Sequence, residues 1–225
     1  MTPRNLIASR RSFATLLAAP LLMLGLSACG SLPTRPVRAA VYDFGPGALD
    51  AATSTQPAVL PLLALADVDS NGGALDNLAV LYRLGYADPQ QLRPYAQAHW
   101  SMPVAGLVKQ RLRQVLSQQH AVVPAGEGAA MSRVQGKLPL VLRVELEEFS
   151  QFFASPTNSF AWLRLRATVI EKTSAGAKVL AQRQVVSRQP AITPDAPGGV
   201  RALGVATDAA AREVSVWLAQ IEAAR

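Results

Sequence analysis

Two runs of alternating residues constrain this chain more than any other feature. Leu140, Leu142, Val144 and Leu146 alternate with Val141, Arg143, Glu145 and Glu147. Further on, Leu163, Leu165, Ala167 and Val169 alternate with Arg164, Arg166 and Thr168. A period of two is that of a strand buried on one face. Between the runs, Ser155-Pro156-Thr157-Asn158 supplies turn residues. An antiparallel hairpin puts both apolar rows on the core side and sets Glu145 and Glu147 opposite or diagonal to Arg164 and Arg166. Each such exposed pair contributes only about 0.2–1 kcal/mol, so the charges act mainly on register. A slip of one residue would carry the carboxylates into the core. Simple alternation also sends Glu148 to the face opposite Glu145 and Glu147.

Other elements gather around this hairpin. Residues 37–44 read as a first strand closed by Gly45-Pro46-Gly47, and residues 59–68 as a nearly all-apolar central strand. Residues 78–84 alternate again, and 85–100 read as a polar, aromatic-bearing connection. A helix follows, with Ser101 as N-cap and Pro103 in its first turn. Val104, Leu107, Val108, Leu112, Val115 and Leu116 form its apolar face. A third strand near 178–187 and a terminal helix over 197–223 complete the set. The terminal helix carries Val200, Leu203, Ala210, Val214, Trp217, Leu218 and Ile221 on one stripe. These elements predict an α+β single domain, a mixed or largely antiparallel sheet with two amphipathic helices packed on one face. With half of its 225 residues apolar and 16% charged, the chain is not intrinsically disordered.

The N-terminus does not belong to that fold. Arg4, Arg10 and Arg11 precede an uncharged, leucine-rich stretch from Ser12 to Ala28, the pattern of a secretory signal peptide over residues 1–28. Pro20 and Gly25 interrupt it, and it is too short for a spanning helix. It ends in Leu26-Ser27-Ala28-Cys29, which resembles the bacterial lipobox. Cys29, the chain's single cysteine, is thereby expected to carry the covalent lipid and become the mature N-terminus. Acyl chains contribute about 0.8 kcal/mol per buried CH₂, so several on one residue hold a protein at a membrane. Residues 29–36 form the acylated end and a tether, which reaches about 20 Å at ~3.3 Å per residue. Gly30, rather than an aspartate, favours the periplasmic face of the outer membrane by resemblance to enterobacterial sorting. Ser9-Arg10-Arg11-Ser12-Phe13 also resembles a twin-arginine signal, which leaves two export routes open.

Removal of the signal alters the charge. The 22 basic side chains lose three arginines, leaving 19 against 15 acids, so the net charge falls from +7 to about +4. An exported domain of that charge has no nucleic-acid partner, although attraction to anionic lipid remains.

The order and spacing of several segments across the mature chain, residues 37–225, resemble the ABC-type transport auxiliary lipoproteins, including PqiC-like components of MCE-type lipid transporters. They are Cys29, Tyr42-Asp43-Phe44-Gly45-Pro46, Leu81-Tyr82-Arg83, Tyr86-Ala87-Asp88-Pro89 through Tyr95 to Trp100, and Leu142 to Phe149, with the two helices. The resemblance implies a non-catalytic lipoprotein that assists lipid movement between two membranes. Its implied partners are an MCE-domain protein and, through it, an ABC permease and ATPase; a homo-oligomer is compatible with it. No Walker motif is present, so the energy source would lie in a partner.

Chemistry-bearing motifs are few. There is no Gly-x-Ser-x-Gly elbow and no His-Glu-x-x-His. His99 and His120 read as ordinary loop or surface residues, and Lys109 and Arg113 as a solvated helix face. Gly198-Gly199 reads as a turn ahead of the last helix rather than an anion cradle. No cofactor is expected beyond the lipid on Cys29. Phe149, Phe152, Phe153, Phe160 and Trp162, however, fall within 14 residues of a chain with six Phe and three Trp. They either fill the hairpin end under the helices or form a contact patch for a partner or lipid. Burial of both Phe152 and Phe153 would remove the second reading. The alternative to a transport role is a structural or assembly scaffold of the envelope.

Overall fold

The computed structural model describes residues 38–46, 60–70, 72–126, 138–173 and 175–224. The signal peptide, Cys29 and the tether lie outside these residues. The strands are β1 (Ala40–Tyr42), β2 (Leu62–Ser70), β3 (Ala79–Leu84), β4 (Asp88–Trp100), β5 (Ala121–Pro124), β6 (Leu140–Ser155), β7 (Asn158–Thr173) and β8 (Gly176–Pro190). Helix α1 (Val104–Leu116) lies between β4 and β5, and α2 (Ala196–Ala223) ends the chain.

Among the described residues all eight strands form one mixed sheet, and β6 is its hub. Its first half pairs with β2 and its second half with β3, both parallel, while β7 runs antiparallel along its other edge. Further parallel pairs are β1–β4 and β2–β5; β3–β4 and β7–β8 are antiparallel. The fold is α+β, with the mixed sheet read from the sequence.

The hairpin register begins as the charges require, with Glu145 opposite Arg166 and Arg143 opposite Thr168. At Glu147 it shifts: Leu146 faces Leu165, yet Glu148 faces Arg164. This bulge inserts one extra residue and reverses the alternation beyond it. Glu148 therefore joins Glu145 and Glu147 on the outer face, a correction to the simple strand reading. Phe149, Gln151 and Phe153 turn inward in consequence, and Phe152 turns outward.

Core packing follows from these faces. Leu140, Leu142, Val144, Leu146 and Phe149 meet Leu163, Leu165, Ala167 and Val169 in one continuous cluster with the apolar stripes of both helices. Phe44, Trp100 and Phe149 interlock within it, ring centroids 5.6–6.0 Å apart. Edge and tilted geometries of this kind add to area burial.

Three local readings change. Residues 85–100 include strand β4, obscured in the sequence by Pro89 and Pro94; Pro94 sits where the pairing with β3 is irregular. Pro103, not Ser101, occupies the N-cap of α1, with no side-chain cap; Ser101 N–H instead donates to Tyr42 O at 2.8 Å. Gly198 and Gly199 lie inside the first turn of α2, which Asp195 caps by accepting from Gly198 N–H at 2.8 Å. The Thr193 hydroxyl and then that N–H hold the Asp195 carboxyl below its ordinary value. A Cβ on Gly199 would overlap the Gln151 side chain. Gln151 is fully buried; it accepts from Tyr95 OH and donates to Ser159 Oγ, each at 2.8 Å. Burial pushes the Tyr95 phenol upward, which keeps it a neutral donor in this layer.

Candidate interaction surface

The helices cover one face of the sheet and leave the other as a three-part surface. At one end, the partly buried Val123, Ala125 and Ile170 pack over Ala64 and Val141, which are themselves buried. The centre is charged. Glu147 pairs with Arg164 at 2.9 Å and with Arg166. Glu148 accepts from Arg83 Nε and Nη2 at 3.3 and 3.0 Å, and from Ser150 Oγ at 2.7 Å. The bulge makes this network, because it places two consecutive carboxylates on one face between arginines from β3 and β7. Several charges held in one network are worth more than isolated surface pairs.

The far end is aromatic. Phe152 lies 5.2 Å from Phe160 and 5.4 Å from Trp162 between ring centroids. Its ring crosses the β3–β4 turn at Gly85, where a Cβ would overlap it. The Arg188 guanidinium sits 5.3 Å from the Trp162 ring and 5.8 Å from that of Phe160. All three aromatic residues are half-buried, and the Trp162 indole nitrogen is covered without a hydrogen-bond partner among the described residues.

The five aromatic residues singled out from the sequence thus divide by face. Phe149 (1% exposed) and Phe153 (6%) are core, and neither can line a contact surface. Phe152, Phe160 and Trp162 come together outside. Sequence reasoning missed Arg188 and Gly85, which complete the cluster. The β7–β8 register brings Arg188 opposite Trp162, and the Gly85 N–H, which donates to Phe153 O, sets Gly85 against the Phe152 ring; neither is a local pattern.

Two further side chains, Arg111 and His120, are buried with no local signal for it in the sequence. Arg111 (6% exposed) sits on the core side of α1, donates to Phe44 O at 2.9 Å and ion-pairs Asp208 of α2 at 3.1 Å. It ties both helices to Tyr42-Asp43-Phe44-Gly45. Within that segment Asp43 accepts from Gly45 N–H at 2.7 Å, and Gly45 has a left-handed φ of 65°. His120 is 2% exposed and meets the Glu222 carboxylate at 3.0 Å, so it is no surface residue. His99 lies within β4. Lys109 pairs with Asp67, which holds that carboxyl below its usual range, while Arg113 is exposed. Among the described residues no cluster of His, Cys, Asp and Glu could hold a metal.

The same fold occurs in solved structures of distant sequence. Protein XCC0632 from Xanthomonas campestris, of the family DUF330, is 16% identical with a TM-score of 0.58, over 75% of this chain and 91% of its own. A second, described as an uncharacterized protein, is 11% identical with a TM-score of 0.56, over 80% of this chain and 99% of its own. No curated protein matches the sequence. Residues 42–215 match the family described as the ABC-type transport auxiliary lipoprotein component. That span runs from β1 into α2, and the chain belongs to this family.

Proposed function

We propose that this protein is the non-catalytic accessory lipoprotein of an MCE/ABC-type intermembrane lipid transport system. It is anchored by acylated Cys29 to the periplasmic face of the outer membrane and uses no other cofactor. Family membership over 42–215 carries the reading, and the lipobox that resembles an acylation site supports the anchor. An MCE-domain protein is the direct partner and connects the chain to a permease and ATPase. The outer aromatic cluster supports a contact role, since Phe152, Phe160 and Trp162 offer apolar area at the rim of a charged face. Aromatic anchors with arginine are the composition of interface cores.

Deletion of the gene should alter lipid composition between the two membranes, and the wild-type chain should restore it. The triple variant F152A/F160A/W162A should accumulate normally yet restore less than half, in line with the loss of an interface hot spot worth about 2 kcal/mol or more. Full restoration by the triple variant would dismiss the patch; unchanged lipids after deletion would dismiss lipid transport.

A further inference from the structure

A second surface lies on the helical side of the domain. The cleft there has a volume of about 750 Å³ and two walls. One is the unbroken run of residues 41–45. Only residues 41 and 42 of that run belong to β1; residues 43–45 are a turn closed by the Gly45 N–H on Asp43, so this wall joins a short strand edge to exposed turn backbone. The other wall is Pro197, Val200, Arg201, Gly204, Val205 and Asp208, the i, i+3, i+4 stripe of a helix. Strand β1 pairs with β4 alone, so its other edge has no strand partner among the described residues.

The accessible lining mixes apolar and charged side chains, with Asp43 and Arg201 exposed beside two valines. Val41 is 67% and Val205 51% exposed. Gly204 faces open space, with Phe44 at the limit of contact from a Cβ placed there. The charges are unequal in their commitments. Arg111 and Asp208 neutralise each other, and Asp43 holds the Gly45 N–H. Arg201 has no carboxylate within ion-pair distance among the described residues; it reaches Thr193 Oγ1 at 3.5 Å, and its charge also falls on Asp195.

We infer that this groove takes an extended segment of a protein partner. The segment lies along β1, sets alternate apolar side chains against Val41 and Val205, and places a carboxylate on Arg201. Strand addition beside a helix supplies main-chain bonds from the edge and selectivity from the pockets that alternate side chains enter. The three-residue length of β1 limits the ladder to a few bonds, so the side-chain contacts must supply the rest. The inference rests on the proposed transport role only for the partner's identity.

The test is photocrosslinking in cells with benzoylphenylalanine at position 205 of the full-length lipidated chain, and at position 216 as a control. Val216 is exposed on α2 outside the groove. Adducts are expected from 205, not 216, on alternate residues of one acid-bearing segment of an envelope protein. Gly204→Trp, which plugs the groove, should abolish them, and Arg201→Glu should lower them about tenfold by charge repulsion. Adducts only to lipid, to a second copy, or to residues 47–59 of the same chain would overturn the inference. So would undiminished adducts in Gly204→Trp. An adduct with a protein outside any transport system keeps the groove and rejects the transport role. Copurification of an MCE protein without any adduct at 205 does the reverse.

Discussion

Cys29→Ser, exported behind a cleavable signal peptide of the non-lipoprotein kind, is expected to release nearly all of the protein from the membrane fraction. Serine offers no thiol for the acyl-bearing group, and among the described residues no helix is long and apolar enough to span a bilayer. The anchor then reduces to whatever the +4 domain gains from anionic head groups, which salt screens. Cell fractionation with mass spectrometry of the N-terminal peptide reads both halves: acyl mass on Cys29 in the wild type, none in the variant. Retention of unacylated protein in salt-washed membranes would reject the anchor. On a density gradient the wild-type chain should band with the outer membrane; banding with the inner membrane would overturn only that part of the proposal.

Phe149→Ala is expected to cost about 3–5 kcal/mol, because it opens a cavity between Phe44 and Trp100 in a core with little room to collapse. At about 2–4 °C per kcal/mol for a domain of this size, the melting temperature should fall by roughly 10 °C. Phe152→Ala removes a half-buried ring from the outer face and should cost less than about 1.5 kcal/mol. The pair is a direct test of the bulge at Glu147. Without it, strict alternation from Leu146 would put Phe152 inside and Phe149 outside. Thermal unfolding of the two purified variants decides the matter: equal losses, or a larger loss from Phe152→Ala, would reject the shifted register.

Much of this fold is legible without coordinates because its signals are local. The hairpin, its Pro156-Thr157 turn and both helices follow from period and charge, which leave two hairpin registers open; the structure takes the one that sets Glu145 opposite Arg166. Strand β4 is not legible, since its prolines and polar residues argue against a strand and its pairing with β3 is irregular. The bulge is invisible for a different reason. Glu147-Glu148 reads equally well with or without an extra residue, and the choice is made by Arg83 arriving from β3. The same holds for the outer cluster: the concentration of aromatics is plain, but which of them face outward depends on that one inserted residue. Arg111 hides within an amphipathic stripe, where only Asp208 and the Phe44 carbonyl account for a buried guanidinium.

Tethered purification tests the transport role most directly. The wild-type chain, crosslinked in intact cells and purified from solubilised membranes, is expected to bring down an MCE-domain protein together with an ABC permease and its ATPase. Recovery of other envelope proteins but none of these three, under conditions that preserve envelope complexes, would contradict it.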